Sequence, residues 1–289
     1  MTTPNPLKPG DLVAITAASG YCDPVKLKAG IQTIESYGLK TRTMPSCHAR
    51  HDYLAGTDSQ RLHDLHTAFA SKEVQAIFMA RGGYGSARLL PHLDYELIRK
   101  NPKILIGFSD VTALHIAINQ ICNLITFHGP MPATSDFYIC NNLFTGDFTA
   151  AHKATALVPG NASGILTGGN LSLIAASLGT PYEIKTLRRV LFIEETQEPP
   201  YRVDRLFLQL KQAGKFRDAV GIILGDFSPE TTETLKIAIN ELIIPEGKPT
   251  LCGLPCGHTT PNITLPMGGW AKISTESAHQ LEIRIHPEI

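Results

Sequence analysis

The sequence has no excess of either charge. Lys plus Arg and Asp plus Glu both count 26, so the formal net charge is zero. Such a chain offers no polycationic face to a phosphate backbone, and a nucleic-acid partner is not expected. Long apolar runs are missing as well. No stretch approaches the roughly 20 residues that cross a bilayer. The first residues, MTTPNPLKPGD, carry no apolar leader region. No membrane partner and a cytoplasmic location are therefore expected. Six cysteines are scattered along the chain, none in a Cys-x-x-Cys pair. Cys252, Cys256 and His258 come nearest to a metal spacing but do not match that of zinc sites. Reduced thiols, no metal and no cofactor are the expectation. Internal repeats and low-complexity tracts are also missing.

What is present suits one large or two ordinary domains. The chain has 289 residues, 43% of them hydrophobic, which is ample for a core. Apolar runs at Leu12–Ala17, Leu39–Thr43 and Val74–Ala80 read as strands. Between them lie a helix opened by Asp23-Pro24 and closed by Gly38, and a second helix from Asp58. Strand alternating with helix is the rhythm of a parallel sheet with crossovers. Further strands are expected at Ile104–Phe108 and Leu124–Phe127, with a helix from Asp110 or Thr112 between them. The mixed stretch 132–163 reads as the domain connection. Beyond it come a helix at Leu171–Leu178, strands at Val190–Ile193 and Ala219–Leu224, and an apolar run at Val203–Ala213. A helix at Thr231–Leu242 and a closing hairpin of Ala271–Ser274 and Leu281–Ile285 complete the expectation.

Two strand ends carry chemistry. The third strand opens into Arg81-Gly82-Gly83-Tyr84-Gly85-Ser86, and the fourth delivers Ser109-Asp110. Open parallel sheets bind ligands beyond the carboxyl ends of their strands. A hydroxyl beside backbone N–H donors is the minimum for acyl transfer. Other readings fit the same residues. Ser109 suits a helix N-cap, and the glycine loop could cradle a phosphate. It lacks the Lys-Ser/Thr ending of a P-loop and the spacing of a dinucleotide fingerprint. Gly107-Phe108-Ser109-Asp110-Val111 also lacks the second glycine of the hydrolase elbow. A serine needs a base, and two of the 11 histidines, His128 and His258, stand at the ends of apolar runs. Residue chemistry does not choose between them.

The wording RGGYGSARLLPHLDYELIRKNPKILIGFSDVTALH, followed by TFHGPM at 126–131, closely resembles the LD-carboxypeptidase family of serine peptidases. Leu254-Pro255-Cys256-Gly257-His258, followed by Asn262 and Leu265-Pro266-Met267-Gly268, looks like the family's histidine motif. Phe192-Ile193-Glu194-Glu195 resembles its strand-end glutamate segment. The resemblance implies Ser109 as nucleophile, His258 as base and Glu194 as the carboxylate that orients it, with His128 outside the triad. Adjacent strand residues face opposite sides, so Glu194 and Glu195 are not expected to serve the same histidine.

The oxyanion needs two donors, for which the amide of Asp110 and that of Gly82 or Gly83 are candidates. An exopeptidase must also hold the terminal carboxylate, and Arg81 and Arg202 are the candidate forks. The resemblance implies an α/β fold, with a Rossmann-like N-terminal domain (1–145), a connection (146–159) and a smaller barrel-like C-terminal domain (160–289). It implies hydrolysis of an L-D amide that releases D-alanine from murein tetrapeptide in peptidoglycan recycling, by a homodimer. Some family members instead cleave peptide-nucleotide antibiotics and confer immunity. Those have a longer form with an extra loop, often tryptophan-bearing, before the glutamate. Here the only tryptophan is Trp270, after the histidine, which favours the murein branch. From a different class, a non-enzymatic phosphate-binding protein also remains compatible with the glycine loop.

Overall fold

Helix α1 (Pro24–Ser36) starts where the Asp23 carboxylate accepts from the amides of Val25 and Lys26, with Pro24 in the first turn. Helix α2 (Asp58–Ala70) starts where the Thr57 hydroxyl accepts from the amide of Gln60. These two helices alternate with β1 (Leu12–Thr16), β2 (Lys40–Thr43) and β3 (Val74–Met79). The computed structural model describes residues 1–148, 150–227, 232–275 and 281–285. It divides into two units, Met1–Asp147 and Phe148–Ile289.

The first unit continues with α3 (Tyr95–Lys100), β4 (Ile104–Gly107), α4 (Thr112–Ala117), β5 (Thr126–His128) and α5 (Asn142–Thr145). Its strands run in the order β2-β1-β3-β4-β5, every neighbouring pair parallel. The chain leaves β1 in one direction and β3 in the other, so the carboxyl ends of β1 and β3 flank a topological switch point. Except for the edge strand β2, the strands are largely buried, with Val13, Ile15, Ile77, Phe78, Leu105 and Phe127 in the core. Strand β5 begins two residues later than expected. Leu124 and Ile125 are buried but precede the ladder.

In the second unit, β6 (Ala150–His152) and β7 (Thr155–Val158) occupy the stretch read from sequence as a connection. Then come β8 (Asn161–Asn170), α6 (Leu171–Ser177), β9 (Arg189–Glu195), α7 (Pro200–Gln212), α8 (Lys215–Asp218) and β10 (Gly221–Phe227). Helix α9 (Thr232–Ala238), β11 (Thr250–Cys252), β12 (Leu265–Met267), β13 (Trp270–Ser274) and β14 (Leu281–Arg284) complete it. Thr231, the expected start of the helix at 231–242, lies outside the described residues, as do residues 276–280 between β13 and β14.

The sheet order is β6-β14-β13-β8-β9-β10-β11-β7, and the sheet curls into a half-barrel. Its four central strands, β8 to β11, are parallel, and antiparallel strands flank them. Phe192, Ile223, Leu251, Leu265 and Ile273 fill its concave core. No described helix of either unit is long and apolar enough to cross a membrane.

Candidate active site

Ser109 follows β4 with φ +64°. An L-residue in this left-handed region carries strain of about 1–2 kcal/mol. A short 3-10 turn, Ser109–Val111, then leads into α4. No side chain caps either element: Phe108 precedes the turn and Val111 the helix, so the serine does not act as the N-cap.

The glycine loop after β3 lies against the hydroxyl. A Cβ on Gly82 would stand 2.8 Å from Ser109 Cβ, 3.0 Å from its Oγ and 3.6 Å from the Asp110 amide nitrogen. Glycine therefore keeps open the space in front of both the hydroxyl and that amide. Gly83 has φ +114°, and a Cβ there would meet the backbone of Gly20 at 3.2 Å.

Asp110 locks this arrangement from behind and is 1% exposed. Its Oδ2 accepts from Ser19 Oγ (2.5 Å) and from the Ser86 amide (2.7 Å), while its carbonyl accepts from Ser86 Oγ (2.6 Å). One carboxylate thus joins the loops after β1, β3 and β4. Arg61, fully buried, adds donations to the carbonyls of Ala18 and, at 3.0 Å, Gly85.

Under the serine, His115 links Gly107 carbonyl and Thr126 hydroxyl, both at 2.8 Å. Burial pushes its pKa down to about 4, against a smaller opposing effect of the Gly107 bond. It is neutral near pH 7, so Nε2–H donates to the carbonyl and Nδ1 accepts from the hydroxyl. None of Ser19, Arg61, Ser86 or His115 was singled out from sequence. Apart from the Arg61–Asp58 pair, three residues apart, their partners lie 8 to 91 residues away, and no local pattern reports such pairings.

Arg81 donates to the carbonyl of Tyr21 at 3.1 Å and has no acidic partner among the described residues. His128, buried at the end of β5, packs its ring 5.9 Å from that of Phe108 and 6.4 Å from that of His115.

The second unit brings Glu194 and His258 together. Glu194 ends β9 fully buried, and its Oε2 accepts from His258 Nδ1 at 2.8 Å. The histidine side chain retains 23% exposure. Gly257 makes room for the contact: with φ +124°, a Cβ there would fall 2.7 Å from Glu194 Oε2. The loop is anchored by Gly257 N–H to Asn262 Oδ1 (3.0 Å) and by Asp226 N–H to the Cys256 carbonyl (2.9 Å).

Burial alone would lower the His258 pKa. The hydrogen bond and charge of Glu194, with Glu195 and Asp226 behind, outweigh it and raise the pKa above the ordinary 6.5. Glu194 is raised by burial, with the histidine opposing. An imidazole held by Nδ1–H against a carboxylate presents Nε2 as its basic nitrogen.

Glu195 points elsewhere. Its oxygens accept from Asn170 Nδ2 (2.9 Å) and from the Ser172 amide (2.9 Å) and hydroxyl (2.6 Å), at the start of α6. Arg202 lies exposed in the first turn of α7, paired with Glu198 at 3.3 Å.

A strand-end serine on an open parallel sheet, and a buried glutamate holding a histidine, are parts that a hydrolytic site on an α/β fold can use. The LD-carboxypeptidase N-terminal domain model matches residues 13–129, and the C-terminal domain model matches residues 163–273. The chain belongs to the LD-carboxypeptidase family. It is 41% identical to a probable murein peptide carboxypeptidase of Bacillus subtilis, with 94% of this chain and 91% of that one covered. The solved structure of an MccF-like protein from Bacillus anthracis superposes with a TM-score of 0.89 at 27% identity, covering 99% and 100%. That of muramoyltetrapeptide carboxypeptidase from Oxalobacter formigenes does so with a TM-score of 0.82 at 28% identity, covering 96% and 100%.

Proposed function

We propose that the protein is a serine LD-carboxypeptidase that releases the terminal D-alanine from murein tetrapeptide. The observation that carries the reading is the hydrogen bond from His258 to a fully buried Glu194, at 2.8 Å. That arrangement makes a base of an imidazole and stabilises it once protonated. Ser109 Oγ attacks the carbonyl of the L-D amide as His258 Nε2 takes its proton. The oxyanion receives the Asp110 amide and that of Gly82 or Gly83. Collapse breaks the C–N bond, and the imidazolium returns its proton to the leaving amine. Water, deprotonated by the same histidine, then hydrolyses the acyl-serine.

Arg81 holds the terminal carboxylate, a role supported by its lack of an acidic partner among the described residues. Arg202, already paired with Glu198, is the weaker candidate. The reading extends to a homodimer that recycles wall fragments, as the family resemblance implies, and to the cytoplasmic location expected from the sequence.

The test compares kcat/KM for tetrapeptide ending in D-alanine, in L-alanine and in D-alanine amide. The first is cleaved, and the other two are poor substrates. Equal rates for the D and L forms would contradict the LD assignment. Undiminished cleavage of the amide would contradict the carboxylate clamp. Cleavage of peptide-nucleotides is the second reading, favoured by the similarity to the MccF-like protein. A peptide-nucleotide in the same assay, cleaved faster than the tetrapeptide, would decide for it.

A further inference from the structure

Tyr84 sits inside the glycine loop and Tyr53 on the neighbouring 49–55 loop. Both are 52% exposed, although their ring centroids are 5.9 Å apart, tilted by 54°. A single exposed aromatic residue is unremarkable in a surface. Two rings set together on separate loops, one of them the candidate oxyanion loop, need another account.

The support beneath them is rigid. Tyr53 lies in a tight turn closed by reciprocal bonds between His51 and Leu54, at 2.9 and 3.0 Å. Buried Arg61 holds the Gly85 carbonyl and the Asp58 carboxylate, and Asp58 in turn accepts from Arg88 at 2.8 to 3.0 Å. The Arg88 amide donates to the carbonyl of Gly85, next to Tyr84, at 3.2 Å, and a Cβ on Gly85 would meet Leu54, next to Tyr53, at 2.6 Å. Two aromatic faces are thus bordered by phenol hydroxyls and a fixed, half-exposed ion pair. That is the equipment for a ring with apolar faces and a hydroxylated rim.

We propose that Tyr53 and Tyr84, with the Arg88–Asp58 pair, form a platform for the muramoyl sugar of a sugar-bearing murein tetrapeptide. The proposal rests on the carboxypeptidase reading and names the acyl-side end of its substrate. Reach supports it. In a tetrapeptide cut before its last residue, three residues separate the reacting carbonyl from the sugar, and extended they span about 10 Å. Tyr84 follows Gly82, which touches Ser109, by two residues, and so by at most about 8 Å between Cα atoms. The ring then projects beyond.

The experiment measures kcat/KM for muramoyl-tetrapeptide and for free tetrapeptide with the wild type, Tyr53→Ala and Tyr53→Phe. The wild type prefers the sugar-bearing peptide by about tenfold, the scale of one good ring contact. Tyr53→Ala brings the ratio close to one, and Tyr53→Phe, which keeps the ring, retains it. A wild-type ratio of one, or a ratio unchanged in Tyr53→Ala, would overturn the platform while leaving the carboxypeptidase reading in place. Cleavage of neither peptide would overturn both.

Discussion

Ser109 and Glu194 each stand at the carboxyl end of a buried parallel strand, β4 in the first unit and β9 in the second, and different forces hold them. Around Ser109 the backbone is the instrument. The serine is set at φ +64°, a glycine faces its hydroxyl, and the Asp110 side chain joins the surrounding loops. Around Glu194 the instrument is charge. A fully buried carboxylate, Glu194, acts with Glu195 and Asp226 to raise the pKa of the histidine against burial. A device set by backbone shape does not titrate, whereas one set by charge changes with pH.

Removing the charge in the second unit breaks the comparison most severely. Glu194→Gln leaves the shape and deletes the anion, so kcat/KM is expected to fall by about 10³–10⁴-fold, as for other triads. With His258 as the proposed base, active in its neutral form, the wild-type rate is expected to rise with pH through a pKa above 6.5. In Glu194→Gln that limb moves to lower pH, since burial is then less opposed. A limb that stays in place would show that Glu194 does not act on the base.

In the first unit the corresponding change is steric. Gly82→Ala puts a methyl 2.8 Å from Ser109 Cβ and beside the Asp110 amide. We expect kcat lower by about 10²–10³-fold, the scale of one lost oxyanion donor. The pH profile keeps its position and the circular dichroism is unchanged. A shifted profile would mean that the two devices are not separable.

The two histidines sharpen the contrast at smaller scale. His115, with a folded pKa of about 4 against 6.5 unfolded, refuses a proton that the unfolded chain accepts. Its contribution makes stability fall as pH drops from 6.5 to 4, by at most about 3 kcal/mol. His258 has the opposite sign: with its pKa raised, it stabilises below 6.5 and loses that contribution as pH rises through the folded value. Urea unfolding at pH 4.5 and 7 checks the first. His115→Gln, although less stable, should lose less stability on acidification than the wild type. An equal loss in both would contradict the buried neutral imidazole.

Much of the first unit was legible because its elements announce themselves locally, through Asp23-Pro24 at the start of the first helix and mostly apolar strands. Strand β8 was not, since glycines at 164, 168 and 169 imitate a turn. Packing requires at least one of them: a Cβ on Gly168 would fall 1.8 Å from the Phe192 carbonyl. Strands β6 and β7 were hidden in an apparent connection because β7, at the sheet edge, stays half-exposed and lacks a core pattern. Helix α3 was absorbed into the motif around it.

At the candidate site, Ser109, Glu194 and His258 were named because short motifs surround each. The bond between Glu194 and His258 spans 64 residues and became visible only in the fold. The roles of Ser86, Arg61 and the Asp110 side chain were not legible, because a polar residue in an apolar context does not disclose which distant group it satisfies.

The central claim is that His258 activates Ser109. Labelling with a fluorophosphonate, followed by intact mass and peptide mapping, tests it without any assumption about substrate. The wild type is expected to take one label, on Ser109, and Ser109→Ala none. His258→Ala is expected to label slower by several orders of magnitude, on the order of the loss seen when a triad base is removed. Labelling of His258→Ala at the wild-type rate, or a wild-type label on any residue other than Ser109, would contradict the account.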